Sequence, residues 1–157
     1  MPQPAPQPSL KGRALRALAA REYARAELER KLAPHVQNGE DLGAVLDELT
    51  AKGFISDARA AQSVVHRRGQ KLGAARVLHE LRQKGVEPEA MAAAAVQLNA
   101  TELERAVAVW RKKFDAPAAN SAERAQQMRF LAARGFAPDT IRRVVRAVGD
   151  DVDAADF

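Results

Sequence analysis

The stretch LTAKGFISD at residues 49–57 decides the fold, because the chain repeats its pattern twice more. The second copy is LRQKGVEPE at residues 81–89, and the third is LAARGFAPD at residues 131–139. Each copy has a leucine, a basic residue followed by glycine, an apolar residue, and an acid three positions after it. A pattern that recurs along one small chain is typical of an array of similar structural units.

Each copy contains the signals that end one helix and begin the next. The basic residue suits the last turn of a helix, where the backbone carbonyls favour positive charge. The glycine that follows can adopt the left-handed conformation that stops the helix, which makes Gly53, Gly85 and Gly135 structural helix stops. The Ser or Pro that follows, with its neighbouring acid, suits the first turn of a new helix. The pattern therefore predicts helix, tight turn, helix.

Apolar residues with helical spacing extend this interpretation over the chain and predict nine helices in three groups of three. No segment alternates apolar and polar residues well enough to be a strand, so the fold class is all-α. We expect three tandem three-helix repeats in an elongated, curved array. The expected organisation is a disordered proline-rich leader at 1–9, repeats at 10–54, 55–99 and 100–149, and an acidic tail at 150–157.

The nine-helix scheme also makes three local predictions. Thr101 and Glu104 have the spacing of a capping box and predict the start of a seventh helix. Ser121 is the expected N-cap of the eighth helix. The inner face of the fourth helix is expected to consist of four residues: Ala58, Ala61, Val64 and Val65.

Composition limits the kind of protein this is. The net charge is +5 and the chain has no cysteine, which excludes disulfides, thiolate metal sites and a cysteine nucleophile. No apolar run is long enough to cross a bilayer, and the leader lacks the basic and apolar segments of a secretion signal, so we expect a cytoplasmic protein. Four aspartates lie in the tail, so the remaining body is more basic than the whole chain and suits a polyanionic partner such as nucleic acid.

The densest group of basic residues is the candidate for contact with such a partner. It comprises Arg59, Arg67, Arg68, Lys71 and Arg76. A solvated face with no partner explains this group equally well. Arg142 and Arg143 lie between apolar positions of the last helix and should point outward, which makes them further candidates. The run at 111–113 ends a helix, where cations are favoured by the helix dipole alone.

Nothing in the sequence indicates catalysis. His35, His66 and His79 are scattered without the spacing of metal ligands, so we expect no metal site. Trp110 lies on an apolar stripe and should belong to the core. No phosphate-binding glycine loop, nucleophile with a base, or pair of carboxylates stands out. We therefore expect no enzyme and no cofactor.

The ordered series of motifs resembles the RecX family of bacterial regulatory proteins. The matching stretches are ARAEL at 24–28 through KL at 31–32, GFISDAR at 53–59, GAARVLHEL at 73–81 with KGV at 84–86, and RGF at 134–136 with IRRV at 141–144. The resemblance covers 10–149 and omits the leader and the tail. Ala60 replaces an aromatic residue and Ala74 a proline that the family often has, and neither change removes a charge.

The resemblance implies a function that the residues alone do not specify. A RecX protein would bind the RecA–DNA nucleoprotein filament and modulate, mostly inhibit, its ATPase, strand-exchange and coprotease activities, without catalysing a reaction itself. It would act as a monomer on the RecA filament, with possible additional contact to the DNA phosphate backbone.

Two other functions fit the same residues. The helix–turn–helix pattern also occurs in DNA-binding regulators that read the major groove. However, the helices after the three glycines begin with acids, at Asp57, Glu89 and Asp139, which would repel phosphate. A helical-repeat scaffold that binds only protein is the third possibility.

Overall fold

A computed structural model of the chain describes residues 2–3 and 5–155, with the side chains described through residue 149. These residues form eight α-helices and one short 3-10 turn, and no strand occurs within them. The helices are α1 (Leu10–Ala20), α2 (Arg25–Leu32), α3 (Leu42–Ala51), α4 (Asp57–Arg68), α5 (Ala74–Gln83), α6 (Pro88–Lys113), α7 (Ser121–Ala133) and α8 (Pro138–Ala155). The predicted all-α class is confirmed.

Three hydrophobic clusters follow one another along the chain. The first lies among α1, α2 and α3 around Leu28 and Leu49. The second lies among α4, α5 and the first half of α6, and Leu81 is fully buried in it. The third joins the second half of α6 to α7 and α8 around Leu131 and Val144. Each cluster is the core of one three-helix unit, as the repeated motif predicts, while the curvature of the array stays a prediction.

The prediction of nine helices is wrong at Thr101, because α6 runs without a break through the expected capping box. The Thr101 hydroxyl donates to the Gln97 carbonyl one turn earlier, which satisfies it inside a helix. The neighbouring alanine-rich sequence has neither glycine nor proline to stop the helix. The expected boundary at 99/100 therefore lies within α6, and the second and third units share this helix.

Two smaller predictions are also wrong. Asn120 is the N-cap of α7, because its side chain accepts a hydrogen bond from the backbone N–H of Glu123, whereas Ser121 is already the first helical residue. On α4, Ala58 is exposed and Ala60 is buried instead, beside Ala61 and Val64. A small alanine at position 60 fits the close packing of this face.

The three glycine stops are confirmed. Gly53, Gly85 and Gly135 have φ angles of 82°, 73° and 90°, in the left-handed region that favours glycine. After each glycine, the backbone N–H of the apolar residue donates back to the leucine carbonyl of the same motif, at 2.9–3.3 Å. The motif thus closes each helix with the same backbone hydrogen bond and turns the chain into the next helix.

The joint between the first and second units is built on Asp57. One carboxylate oxygen accepts from the backbone N–H of Arg25 at the start of α2, and the other accepts from that of Glu87 before α6, both at 2.9 Å. Gly85 packs so closely on Ala26 that a Cβ at position 85 would lie 2.7 Å from the alanine methyl. One acid therefore satisfies the free amides of two helices from different units.

The joint between the second and third units has a comparable construction. Glu102, in the middle of α6, is 7% exposed and accepts from the backbone N–H of Ala74 and from the hydroxyl of Thr140. Nearby, the Gly73 amide donates to the Arg134 carbonyl at 2.8 Å, and the backbones of Gly73 and Gly135 touch. One buried carboxylate therefore connects α5, α6 and α8.

The two ends of the chain frame this array. The leader residues that are described have no regular secondary structure until Ser9, whose hydroxyl caps α1. At the other end, the helical backbone of α8 continues past Gly149 to Ala155. The predicted acidic tail at 150–157 lies outside the described side chains, and residues 1, 4, 156 and 157 lie outside the described residues altogether.

Candidate functional site

The structure divides the predicted basic cluster among four places. Arg68 and Arg76 line one groove, Lys71 lines a second, Arg67 lies at the edge of a third small cleft, and Arg59 lies over a loop. The sequence analysis grouped these residues because their positions along the chain are close. In the fold they project from different faces of α4, α5 and the turn between them.

Arg59 holds the turn between α3 and α4. Its Nη2 donates to the carbonyl oxygens of Gly53 and Phe54, at 2.7 and 3.3 Å, and its Nε forms an ion pair with Glu22 at 3.0 Å. These contacts engage the Arg59 guanidinium at the joint between the first and second units, and the Glu22 carboxylate offsets its charge. Arg59 is therefore the least suited of the seven predicted residues to contact a partner.

The α5 groove is an open depression of about 570 Å³ along the exposed side of α5. Its lining is mixed in charge: Arg68, Leu72, Ala75, Arg76, His79, Glu80 and Gln83. Arg68 Nε lies 3.5 Å from Glu80 Oε2, a carboxylate oxygen that accepts no hydrogen bond from the described residues. The stem of Arg76 packs over Gly135, which aims its charged end along the groove.

The cationic pocket is a second depression, of about 360 Å³, and sequence reasoning missed most of it. Lys71 meets Lys112 and Lys113 from the end of α6 and Arg134 from the end of α7, together with Gln70, Val109 and Phe130. For Lys112, Lys113 and Arg134 the only sequence signal was a position at the end of a helix, which the helix dipole explains without a ligand. The convergence of three helix ends became visible only in the fold.

Arg142 and Arg143 are exposed on α8, while Ile141 and Val144 beside them are buried, so the predicted outward orientation is confirmed. Arg142 forms an ion pair with Asp139 at 2.8 Å within the same turn. Such exposed pairs contribute little and open readily. Both arginines remain accessible to a partner.

Apart from Glu80 in the α5 groove, the buried charges of Glu27, Glu102 and Arg105 lie at contacts between helices. Burial raises the pKa of Glu27, but hydrogen bonds from Arg21 and Lys84 outweigh it and hold that pKa below its usual value. Burial lowers the pKa of Arg105, and the nearby charge of Glu102 opposes this shift. The Arg105 guanidinium donates to the carbonyls of Gly69, Leu72 and Leu98. These groups stabilise the array.

The described residues contain no group of three or more His, Cys, Asp or Glu side chains that could hold a metal ion. Trp110 is buried, as predicted, and its indole N–H donates to Gln127 at 3.0 Å. Within the described part of the chain, none of the helices has the length and apolar character needed to span a membrane. The molecule is thus an all-α array of three-helix units that presents a groove of mixed charge and a separate cationic pocket.

Comparison with known proteins specifies this class further. Residues 56–94 match the family model for the second three-helix domain of RecX, and residues 100–145 match that for the third. The first match ends and the second begins within α6, the helix that the two units share. The protein called Regulatory protein RecX from Leptothrix cholodnii is 51% identical over 94% of each chain. The one from Herbaspirillum seropedicae is 47% identical over 96% of this chain and 97% of its own.

The chain belongs to the RecX family, as its motifs indicate. A crystal structure of RecX from Lactobacillus salivarius has the same fold, with a TM-score of 0.77 at 19% identity over 89% of this chain and 94% of the other. The relatives at high identity are named regulatory proteins.

Proposed function

We propose that this protein is a non-catalytic, monomeric, cytoplasmic regulator that binds the RecA–DNA filament and inhibits its ATPase, strand-exchange and coprotease activities. The observation that carries the proposal is the 51% identity to a protein named Regulatory protein RecX over nearly the full length of both chains. Identity and coverage of this size support a common fold along nearly the whole length of both chains, and a shared regulatory role is the expected consequence.

The arrangement of charge supports a binding role. The grooves are open depressions on a basic protein, and the buried groups of Glu102 and Arg105 are engaged in joining helices. Charge complementarity between such a surface and a nucleoprotein filament steers association and positions the partner. We assign Arg68 and Arg76 in the α5 groove, with Arg142 and Arg143 on α8, as the first residues to test for filament contact.

The direct test is DNA-dependent ATP hydrolysis by RecA with and without this protein. We expect hydrolysis to fall at ratios of one protein per RecA or lower. Electron microscopy of the same filaments should show added density along them. An unchanged rate of hydrolysis at these ratios would contradict the proposal.

The same preparation separates the two alternative functions. A major-groove reader would give a sequence-specific footprint on bare duplex DNA, although Asp57 in the first turn of α4 already accepts from two backbone amides and adds negative charge there. A scaffold that binds only protein would bind with little dependence on salt, whereas contact with phosphates predicts a steep loss of affinity as salt rises.

A further inference from the structure

The cationic pocket is formed by residues that lie far apart in the sequence. Lys71 lies in the turn after α4, and Lys112 and Lys113 lie at the end of α6. Arg134 directly follows α7. The shared helix α6 carries two of them to the place where the second and third units meet. Four positive side chains therefore border one depression of about 360 Å³.

Among the side chains that the structure describes, these four cations have no anionic partner. Within the described residues, no carboxylate lies at ion-pair distance from any of them, and the lining of the pocket contains no acid. The α5 groove differs, because there Glu80 faces Arg68. Arg59 likewise is paired with Glu22. Through residue 149, no described carboxylate therefore offsets the positive charge of the cationic pocket.

Helix dipoles account for only part of this accumulation. Each helix C-terminus is equivalent to roughly −0.5 of an elementary charge, so the three helix ends together supply about −1.5 charges. The four cations supply about +4, which is more than the helix ends balance. The ends are also served by other donors: the carbonyls of Gly69 and Leu72 accept from Arg105, and that of Arg134 accepts from Gly73. An excess of about two or more positive charges is left for a ligand.

Phe130 holds two of these cations in place without neutralising them. Its ring centroid lies 5.0 Å from the Arg134 guanidinium carbon and 5.8 Å from the Lys113 ammonium. The ring itself packs edge-on against Phe114, with centroids 5.4 Å apart. Cation–π contact of this kind orients the side chains before a ligand arrives, which lowers the entropy lost on binding.

We propose that the cationic pocket binds the phosphodiester backbone of nucleic acid. Lysine ammoniums bind phosphate as compact point charges, and an arginine guanidinium can bind two phosphate oxygens at once. Val109 and Phe130 give the pocket an apolar floor that suits the sugar and base edges beside a phosphate. The inference concerns nucleic acid alone and does not require RecA.

The test compares two double variants of the full chain. K112A/K113A removes two pocket cations, and R16A/K31A removes two exposed cations from the first unit as a matched control. Binding to a fluorescent single-stranded oligonucleotide is measured by anisotropy at several salt concentrations, in the absence of RecA. Circular dichroism melts of both variants check that the fold is retained.

We expect K112A/K113A to reduce the slope of log affinity against log salt by about 1.4, since each phosphate contact on a single strand contributes about 0.7. Relative to 1 M salt, that change corresponds to about a 25-fold loss of affinity at 0.1 M. The control should retain the slope of the original protein. Equal losses in both variants, or none in K112A/K113A, would overturn the proposal.

A second ligand distinguishes nucleic acid from an acidic protein. If K112A/K113A loses binding to a poly-glutamate peptide while its DNA binding is unchanged, the pocket serves an acidic protein segment and the proposal is wrong. RecA inhibition is measured separately. If inhibition occurs while the pocket variant binds DNA normally, only the pocket assignment fails; if DNA binding behaves as expected without RecA inhibition, only the proposed function fails.

Discussion

Glu102 accepts a hydrogen bond from the Thr140 hydroxyl at 2.8 Å and joins the shared helix α6 to the start of α8. Its other carboxylate oxygen accepts from the Ala74 amide at 3.0 Å, so three helices meet at one buried acid. A buried carboxylate is costly unless its oxygens are satisfied, and here they are satisfied by groups from two other helices. The contact makes the second and third units dependent on each other.

We expect Glu102→Ala to destabilise the protein by about 2–3 kcal/mol, because it leaves the Ala74 amide and the Thr140 hydroxyl without their acceptor. Urea denaturation measures the change in unfolding free energy. Glu104→Ala is the matched control, since Glu104 is exposed on the same helix. Equal stabilities of the two variants would contradict the role assigned to Glu102.

Asp57 gives a second prediction, at the first joint. Asp57→Asn keeps the size of the side chain but leaves only one oxygen to accept from the amides of Arg25 and Glu87. We expect a loss of about 1–2 kcal/mol and faster hydrogen exchange at one or both of these amides. Asp47→Asn is the control, because Asp47 forms only an exposed ion pair with Arg25. Unchanged exchange at both amides would show that Asp57 does not hold the joint.

The sequence predicted the local structure well and the joints poorly. Gly53, Gly85 and Gly135 follow from rules that act within a few residues, so their turns could be located without a structure. The structural roles of Glu102 and Arg105 could not be recognised from the sequence, because these hydrogen-bond partners lie about 30–40 positions away along the chain. A charged residue in a helix is normally expected to be exposed. The cationic pocket was missed for the same reason: Lys71 and Arg134 become neighbours only when the units stack.

Gly135 should tolerate substitution less well than Gly53, although both have positive φ angles. A Cβ at position 53 meets nothing within 4 Å, whereas at position 135 it would lie 2.3 Å from Arg76 Cγ. Gly53→Ala therefore costs only backbone strain, about 1–2 kcal/mol, while Gly135→Ala adds about 1–3 kcal/mol of overpacking. Thermal and urea unfolding of both variants would test this order.

We attribute the additional loss of stability in Gly135→Ala to overlap with the aliphatic stem of Arg76. Adding Arg76→Ala to the Gly135→Ala variant should therefore recover part of the lost stability. The same substitution in the Gly53→Ala background should recover none. A double-mutant cycle with no coupling between positions 76 and 135 would contradict this explanation.

Stability should depend on pH through Glu27. The pKa of Glu27 is below its usual value in the folded protein, so its ionised form stabilises the fold at neutral pH. That contribution is present above the unfolded pKa of about 4.3 and is lost as the pH falls through the lower folded value. We expect Glu27→Gln to cost about 1 kcal/mol at pH 7 and to approach the original protein's stability in acid. The exposed Glu29→Gln is the control, and a pH-independent difference for Glu27→Gln would contradict the mechanism.

The α5 groove allows the proposed function to be tested at the level of residues. Arg68→Gln/Arg76→Gln removes two charges but keeps much of each side-chain stem, including the Arg76 stem that packs on Gly135. If the groove contacts the RecA filament, the concentration needed for half-inhibition of ATP hydrolysis should rise about tenfold, which corresponds to about 1.4 kcal/mol of lost binding energy. The R16A/K31A variant should inhibit as the original protein does. K112A/K113A alters the cationic pocket, so comparing the three variants shows which surface contacts the filament. A loss of inhibition confined to Arg68→Gln/Arg76→Gln places the filament in the α5 groove. Full inhibition by Arg68→Gln/Arg76→Gln excludes that groove as the contact.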